Sequence, residues 1–127
     1  GAMIPFEAPE SGTVFLDSDL VKGSELTIHT SDDDACFVKL KDENGEDVFS
    51  FFVRAGDSVS VPVPFGNYFV YFASGTDWYG PEYIFGDDTF FGKDEEICDF
   101  ENYTWEYTFV KTADGNFTET PIDSDEF

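Results

Sequence analysis

Apolar and polar residues along this chain alternate with a period of two rather than 3.6, the mark of strands with one buried face. Tyr103, Trp105, Tyr107 and Phe109 alternate with Thr104, Glu106 and Thr108, and Val59, Val61 and Val63 alternate with Ser58, Ser60 and Pro62. Leu26 and Ile28 point away from Thr27 and His29. Cys36, Val38 and Leu40 oppose Phe37, Lys39 and Lys41, and the 48–54 stretch gathers Phe49, Phe51 and Val53 on one side. In 68–73 both faces are apolar, Tyr68, Val70 and Phe72 against Phe69, Tyr71 and Ala73, which predicts a central strand. Pro62 has no N–H to give a ladder, so its strand is placed at a sheet edge. Thr13 to Leu16 supplies a first strand.

Turn chemistry punctuates these strands. Asn44-Gly45, inside the acidic run 42–47, and Asp114-Gly115, before a short final strand around 117–120, are hairpin signals. No stretch carries an amphipathic helix of ten or more residues. Seven or eight short strands at this spacing predict an all-β fold, an antiparallel β-sandwich of prealbumin- or immunoglobulin-like kind, over residues 12–122. Gly1-Ala2-Met3 reads as an expression scar, and residues 1–11, with Pro5 and Pro9, as a linker-like arm. Residues 123–127 form an acidic tail expected to fray. The rhythm breaks in a long connection at 74–92, which holds Trp78, Tyr79, Tyr83, Phe85, Phe90 and Phe91 among several glycines. Long connections in compact domains are often functional, so binding is looked for there first.

The run Val61-Pro62-Val63-Pro64-Phe65-Gly66-Asn67-Tyr68-Phe69-Val70-Tyr71-Phe72-Ala73 resembles the V-x-x-P-x-G-x-Y-x-V stretch of prealbumin-like modules. These include the carboxypeptidase regulatory-like and collagen-adhesin B-type domains of bacterial surface proteins. The resemblance implies a sandwich in which Pro64-Phe65-Gly66 turns the chain between two strands and Tyr68 packs inward. It also implies an accessory or adhesive role. Some adhesin-type domains join a strand Lys to an Asn near the last strand. Lys39 offers an amine, but no Asn closes the 103–111 strand, so no such cross-link is predicted.

Charge narrows the function classes. Asp and Glu number 28 against 6 Lys and Arg, a net charge of −22 in 127 residues. A chain of that sign repels phosphate backbones and anionic lipid, so nucleic-acid binding of the ordinary kind is excluded. No apolar run is long enough for a membrane-spanning helix, and no membrane insertion of this domain is expected. With 41% hydrophobic and 19% aromatic residues the chain has ample material for a core.

The candidate chemistry is sparse. His29 is the single histidine, and no nucleophile motif lies near it in sequence. Paired carboxylates of glycosidase type could be drawn from 28 acids almost at will, so no catalytic residue is assigned and an enzyme is not expected. Calcium is the one cofactor considered, because hard cations take loop carboxylates. Asp32, Asp33, Asp34, Asp87 and Asp88 are its candidate ligands, against a reading of solvated turns that protect sheet edges. Cys36 and Cys98 are a candidate disulfide that would close a long loop, worth about 4 kcal/mol by chain entropy. The alternative is two buried free thiols.

Trp78, Tyr79 and Tyr83 are the candidate binding residues, since aromatics held on a loop stack on sugars or anchor protein partners. The competing reading folds them back as a lid on the sandwich. The expected function is a non-catalytic, monomeric binding module of a bacterial secreted or cell-surface protein, engaging a protein or glycan through the 74–92 loop. Two alternatives stand beside it: an acidic decoy that mimics nucleic acid in a basic protein groove, and a purely structural spacer.

Overall fold

The computed structural model describes residues 3–110 and 119–127. Among these residues ten strands run in chain order: β1 (Thr13–Leu16), β2 (Lys22–His29), β3 (Ala35–Lys41), β4 (Asp47–Val53), β5 (Ser58–Pro64), β6 (Asn67–Gly75), β7 (Phe90–Lys93), β8 (Cys98–Asp99), β9 (Trp105–Thr108) and β10 (Thr120–Pro121). They form two sheets. The larger is seven-stranded in the order β1-β4-β3-β6-β7-β10, with β8 also paired to β6; the smaller is β5-β2-β9. Every pairing is antiparallel except β2 with β9, which is parallel. The expected all-β sandwich is therefore the fold, with one parallel ladder that alternation alone does not reveal.

Strand chemistry explains the placement. Pro62 lies on β5, an edge of the small sheet, as its missing donor requires. β6, apolar on both faces, lies inside the large sheet between β3 and β7. The β3–β4 hairpin turns at Asn44-Gly45, where Gly45 has φ +80° and its N–H donates to the Asp42 carbonyl at 3.0 Å. The Asp42 carboxylate also accepts from the Asn44 and Glu46 amides at 2.8 and 3.0 Å, an Asx arrangement that fixes the turn. The predicted Asp114-Gly115 hairpin and the first two residues of the strand predicted around 117–120 lie outside the described residues, and Thr120 begins β10.

Two apolar layers result. Between the sheets lie Leu26, Ile28, Cys36, Val38, Leu40, Phe49, Phe51, Val53, Val61, Val63, Val70 and Phe72, with Trp105 and Tyr107 of β9 packed against them. This is the sandwich core that the period-two pattern predicts. Part of the opposite face of the large sheet is also dry. There Phe37, Phe52 and Ala73 pack with Trp78, Ile84, Phe85 and Phe127. At roughly 1.5–3 kcal/mol for each large side chain fully buried, this outer layer contributes on the same scale as the inner one.

Among the described residues no strand covers that outer face; irregular segments do. The arm before β1 lies on it rather than leading away: the Phe6 amide donates to the Trp78 carbonyl at 2.7 Å, and Arg54 holds the carbonyls of Ala8 and Pro9 at 2.8 Å each. The 123–127 segment, expected to fray, ends instead in Phe127, which is buried. A phenylalanine after four polar residues has apolar area to hide, and the outer face offers the nearest apolar surface. The 76–89 connection completes the cover.

Candidate functional site

The connection is built by its own hydrogen bonds. β6 ends at Gly75, where a Cβ would stand 2.6 Å from Phe85 Cγ, so only glycine lets the chain and Phe85 meet this closely. Gly80-Pro81 then opens one turn of α1 (Gly80–Tyr83), with proline in the first turn where no N–H is needed. The Ile84 amide donates to the Gly80 carbonyl and the Tyr79 amide to the Ile84 carbonyl, both at 2.7 Å. Thr89 closes the loop: its hydroxyl donates to the Gly86 carbonyl at 2.7 Å and accepts from the Phe85 amide at 3.2 Å.

This framework separates the three predicted binding residues. Trp78 is 4% exposed and its rings lie 4.9 to 5.6 Å from those of Phe52, Phe37, Phe85 and Phe15. It is a core residue with no face left for a ligand, which corrects its assignment as a binding side chain. The reason is the dry outer face of the sheet, which the largest nearby ring covers best. Tyr79 is half-buried. Tyr83 is 57% exposed and is the one aromatic of the three presented to solvent.

Tyr83 stands on the wall of a groove of about 480 Å³ between the 81–89 turns and the 124–127 segment. Glu82, Asp87 and Ser124 supply polar groups to it, Ile84, Phe91 and Phe127 its apolar floor, and Lys39 a single cation. Burial holds the Lys39 ammonium below its ordinary range, with Asp47 pulling the other way. Ile84, on the floor, has φ +57° and ψ −110°. A β-branched residue at positive φ costs on the order of 1–3 kcal/mol, and such strain persists only where the surroundings over-determine it.

The acids do not converge. Asp32 and Asp33 are exposed and Asp34 is buried in the β2–β3 turn, while Asp87 and Asp88 sit in a 3-10 turn of the connection. Among the described residues no group of three or more His, Cys, Asp or Glu side chains is arranged to hold a metal ion, so the two acidic clusters proposed for calcium form no ligand set. Acids occupy turns at both ends of the sandwich: 32–34 precedes β3 and 42–46 follows it. A second concavity, of about 390 Å³, collects Asp94, Glu95 and Glu96 beside Tyr107. There the Asp94 carboxylate already accepts the Tyr107 hydroxyl at 2.6 Å.

Cys36 and Cys98 are both buried and both free, which corrects the disulfide in favour of two inert thiols. Cys36 faces Ser74 across the β3–β6 ladder, whereas Cys98, on β8, faces Tyr68 of β6 and lies 3.1 Å from the Tyr107 hydroxyl. Burial pushes both thiols upward, Cys98 to about 11.

One constellation escaped the sequence reading. His29 Nδ1 lies 2.5 Å from Ser58 Oγ, and its Nε2 meets the Glu106 carboxylate. The signal that could have found it is register: His29 lies opposite Ser58 on β5 and two positions beyond Thr27, the partner of Glu106 on β9. The three side chains stand on the solvent face of the small sheet, and neither His29 nor Ser58 lines either concavity described above. Serine–histidine–acid catalysis also needs a held substrate and oxyanion donors. Here the arrangement acts as a cross-strand link between β5, β2 and β9. No helix among the described residues is long and apolar enough to cross a membrane.

Compared with known proteins, the chain matches no family model, no curated protein and no solved structure.

Proposed function

We propose that this domain is a non-catalytic binding module of a secreted or cell-surface bacterial protein, and that it engages a protein or glycan partner through the groove beside Tyr83. The observation that carries the reading is the division of labour within 76–89. Trp78, Ile84 and Phe85 are spent on the core, while Tyr83 stays 57% exposed over a groove with carboxylates at its rim. An exposed ring on a hydrogen-bonded loop, next to a strained Ile84, is preorganised for a partner and loses little entropy on binding. The likeness of residues 61–73 to prealbumin-like modules supports an accessory role of this kind. Acid-bearing turns on either side of β3, at 32–34 and 42–46, favour the module over the acidic decoy.

The test is a Tyr83→Ala chain screened beside the wild type on glycan arrays and peptide libraries. A ligand of the groove loses about tenfold or more in affinity, since anchoring aromatics cost at least about 1–2 kcal/mol when truncated. The melting temperature stays where it was. A ligand held equally well by both chains would place the site elsewhere.

A further inference from the structure

Three of the six Lys and Arg residues, Lys39, Lys41 and Lys93, stand together on the outer face of the large sheet in a chain of net charge −22. Register puts them there: Lys39 faces Tyr71 across the β3–β6 ladder, and Tyr71 faces Lys93 across β6–β7. The Tyr71 ring lies 4.7 Å from the Lys41 ammonium and 5.9 Å from that of Lys93. Like charges gathered on a half-dry surface repel unless an anion answers them. Asp47 answers in part, at 3.6 Å from Lys39 and 3.7 Å from Lys41.

The 123–127 segment supplies the rest, by three different means. Lys39 Nζ donates to the backbone oxygen of Phe127 at 2.9 Å, and Lys41 Nζ to that of Glu126 at 2.7 Å. The Glu126 carboxylate lies 3.9 Å from Lys93. The Phe127 ring sits 4.2 Å from the Lys39 ammonium and 5.3 Å from the Phe91 ring, with 8% of the residue exposed. A merely solvated acidic run would offer carboxylates alone. Here lysines seize main-chain oxygens and an aromatic pocket receives a ring, the pattern of peptide recognition.

We infer that Lys39, Lys41, Lys93, Tyr71 and Phe91 form an acceptor site for an acidic peptide segment bearing a phenylalanine, and that 123–127 is its occupant in cis. The site reads backbone, charge and ring together, so it discriminates against acidic segments without an aromatic residue. The site shares Lys39, Phe91 and Phe127 with the Tyr83 groove, while none of its own contacts uses Tyr83.

The probe is the labelled peptide Asp-Ser-Asp-Glu-Phe, titrated against the 127-residue chain and its variants. An attached segment competes at an effective concentration of about millimolar, so the wild type resists the peptide. Phe127→Ala weakens the internal competitor, and the peptide then binds at a concentration about tenfold or more lower. Adding Lys39→Met with Lys41→Met removes that binding, and adding Lys22→Met, on the small sheet beside Asp17, leaves it intact. A peptide ending in Ala binds about tenfold more weakly than one ending in Phe. If Phe127→Ala does not fold, Phe127→Leu keeps apolar volume, drops the ring, and carries the same expectation. A folded variant that takes up the peptide no better than the wild type overturns the inference, as does binding that survives loss of both lysines.

Discussion

The two faces of the seven-stranded sheet bury comparable aromatic residues, yet they are covered in different ways. The inner face carries Phe49, Phe51 and Phe72 and is closed by a second sheet whose own strands alternate. The outer face carries Phe37 and Phe52 and is closed by an arm, a looped connection and the 123–127 segment. A sheet covers a sheet by repeating one geometry, and its side chains are spent wholly on packing. An irregular cover must also satisfy its backbone, residue by residue, and leaves parts of itself facing outward. That is why the groove, Tyr83 and the lysine cluster all lie on the outer side.

The largest effects come from the rings that close each layer. Phe51→Ala and Trp78→Ala each lower unfolding free energy by about 3–5 kcal/mol, read from denaturant midpoints. A loss below about 1 kcal/mol for Trp78→Ala would make the outer cover a detachable lid and break the parallel between the faces. Gly75→Ala comes next, at about 1–3 kcal/mol, because its Cβ runs into Phe85 at the point where sheet and cover meet.

Alkali separates the two faces by sign. On the inner side burial raises the Cys36, Cys98 and Tyr68 groups, and burial with hydrogen bonding to Asp94 raises Tyr107. The folded state then holds protons that the unfolded chain releases above about 9 to 10, near the ordinary values of thiols and phenols. Their stabilisation is complete below that range and is lost as pH rises toward the Cys98 value of about 11. Lys39 on the outer side is lowered by burial, so its contribution has the opposite sign and improves as pH climbs toward 10.5. Four groups outweigh one, and denaturant midpoints fall between pH 8.5 and 10.5. Midpoints that rise over that range would mean that the inner groups are not buried as described.

The strands were legible in the sequence, and the cover was not. Alternation placed Leu26, Ile28, Val38, Phe51 and Val61 facing inward, and Pro62 put β5 at an edge. It could not tell that Phe37 and Phe52, on the alternate positions, are equally dry, since a period of two records only that faces differ. Trp78 and Tyr83 look alike in a glycine-rich stretch. Which of them faces inward depends on where α1 and the Gly75–Phe85 contact turn the chain, and neither has a period. Lys39, Lys41 and Lys93 come together only through the β3–β6–β7 register, and Ser58, His29 and Glu106 only through β5–β2–β9. Long-range pairing of this kind leaves no mark in the local pattern.

The smallest expected effect is a control. Tyr83→Ala changes stability by no more than about 0.5 kcal/mol, as for an exposed side chain. A greater loss would assign Tyr83 to the cover and leave the groove without its anchor.

The outer face is a second core, and Trp78 reports on it directly. Trp78 and Trp105 are the two tryptophans, so a Trp105→Phe chain emits from Trp78 alone. A buried Trp78 gives blue-shifted fluorescence and strong protection from acrylamide in the native chain, both lost on unfolding. Red-shifted emission quenched as freely as in the unfolded chain would contradict it.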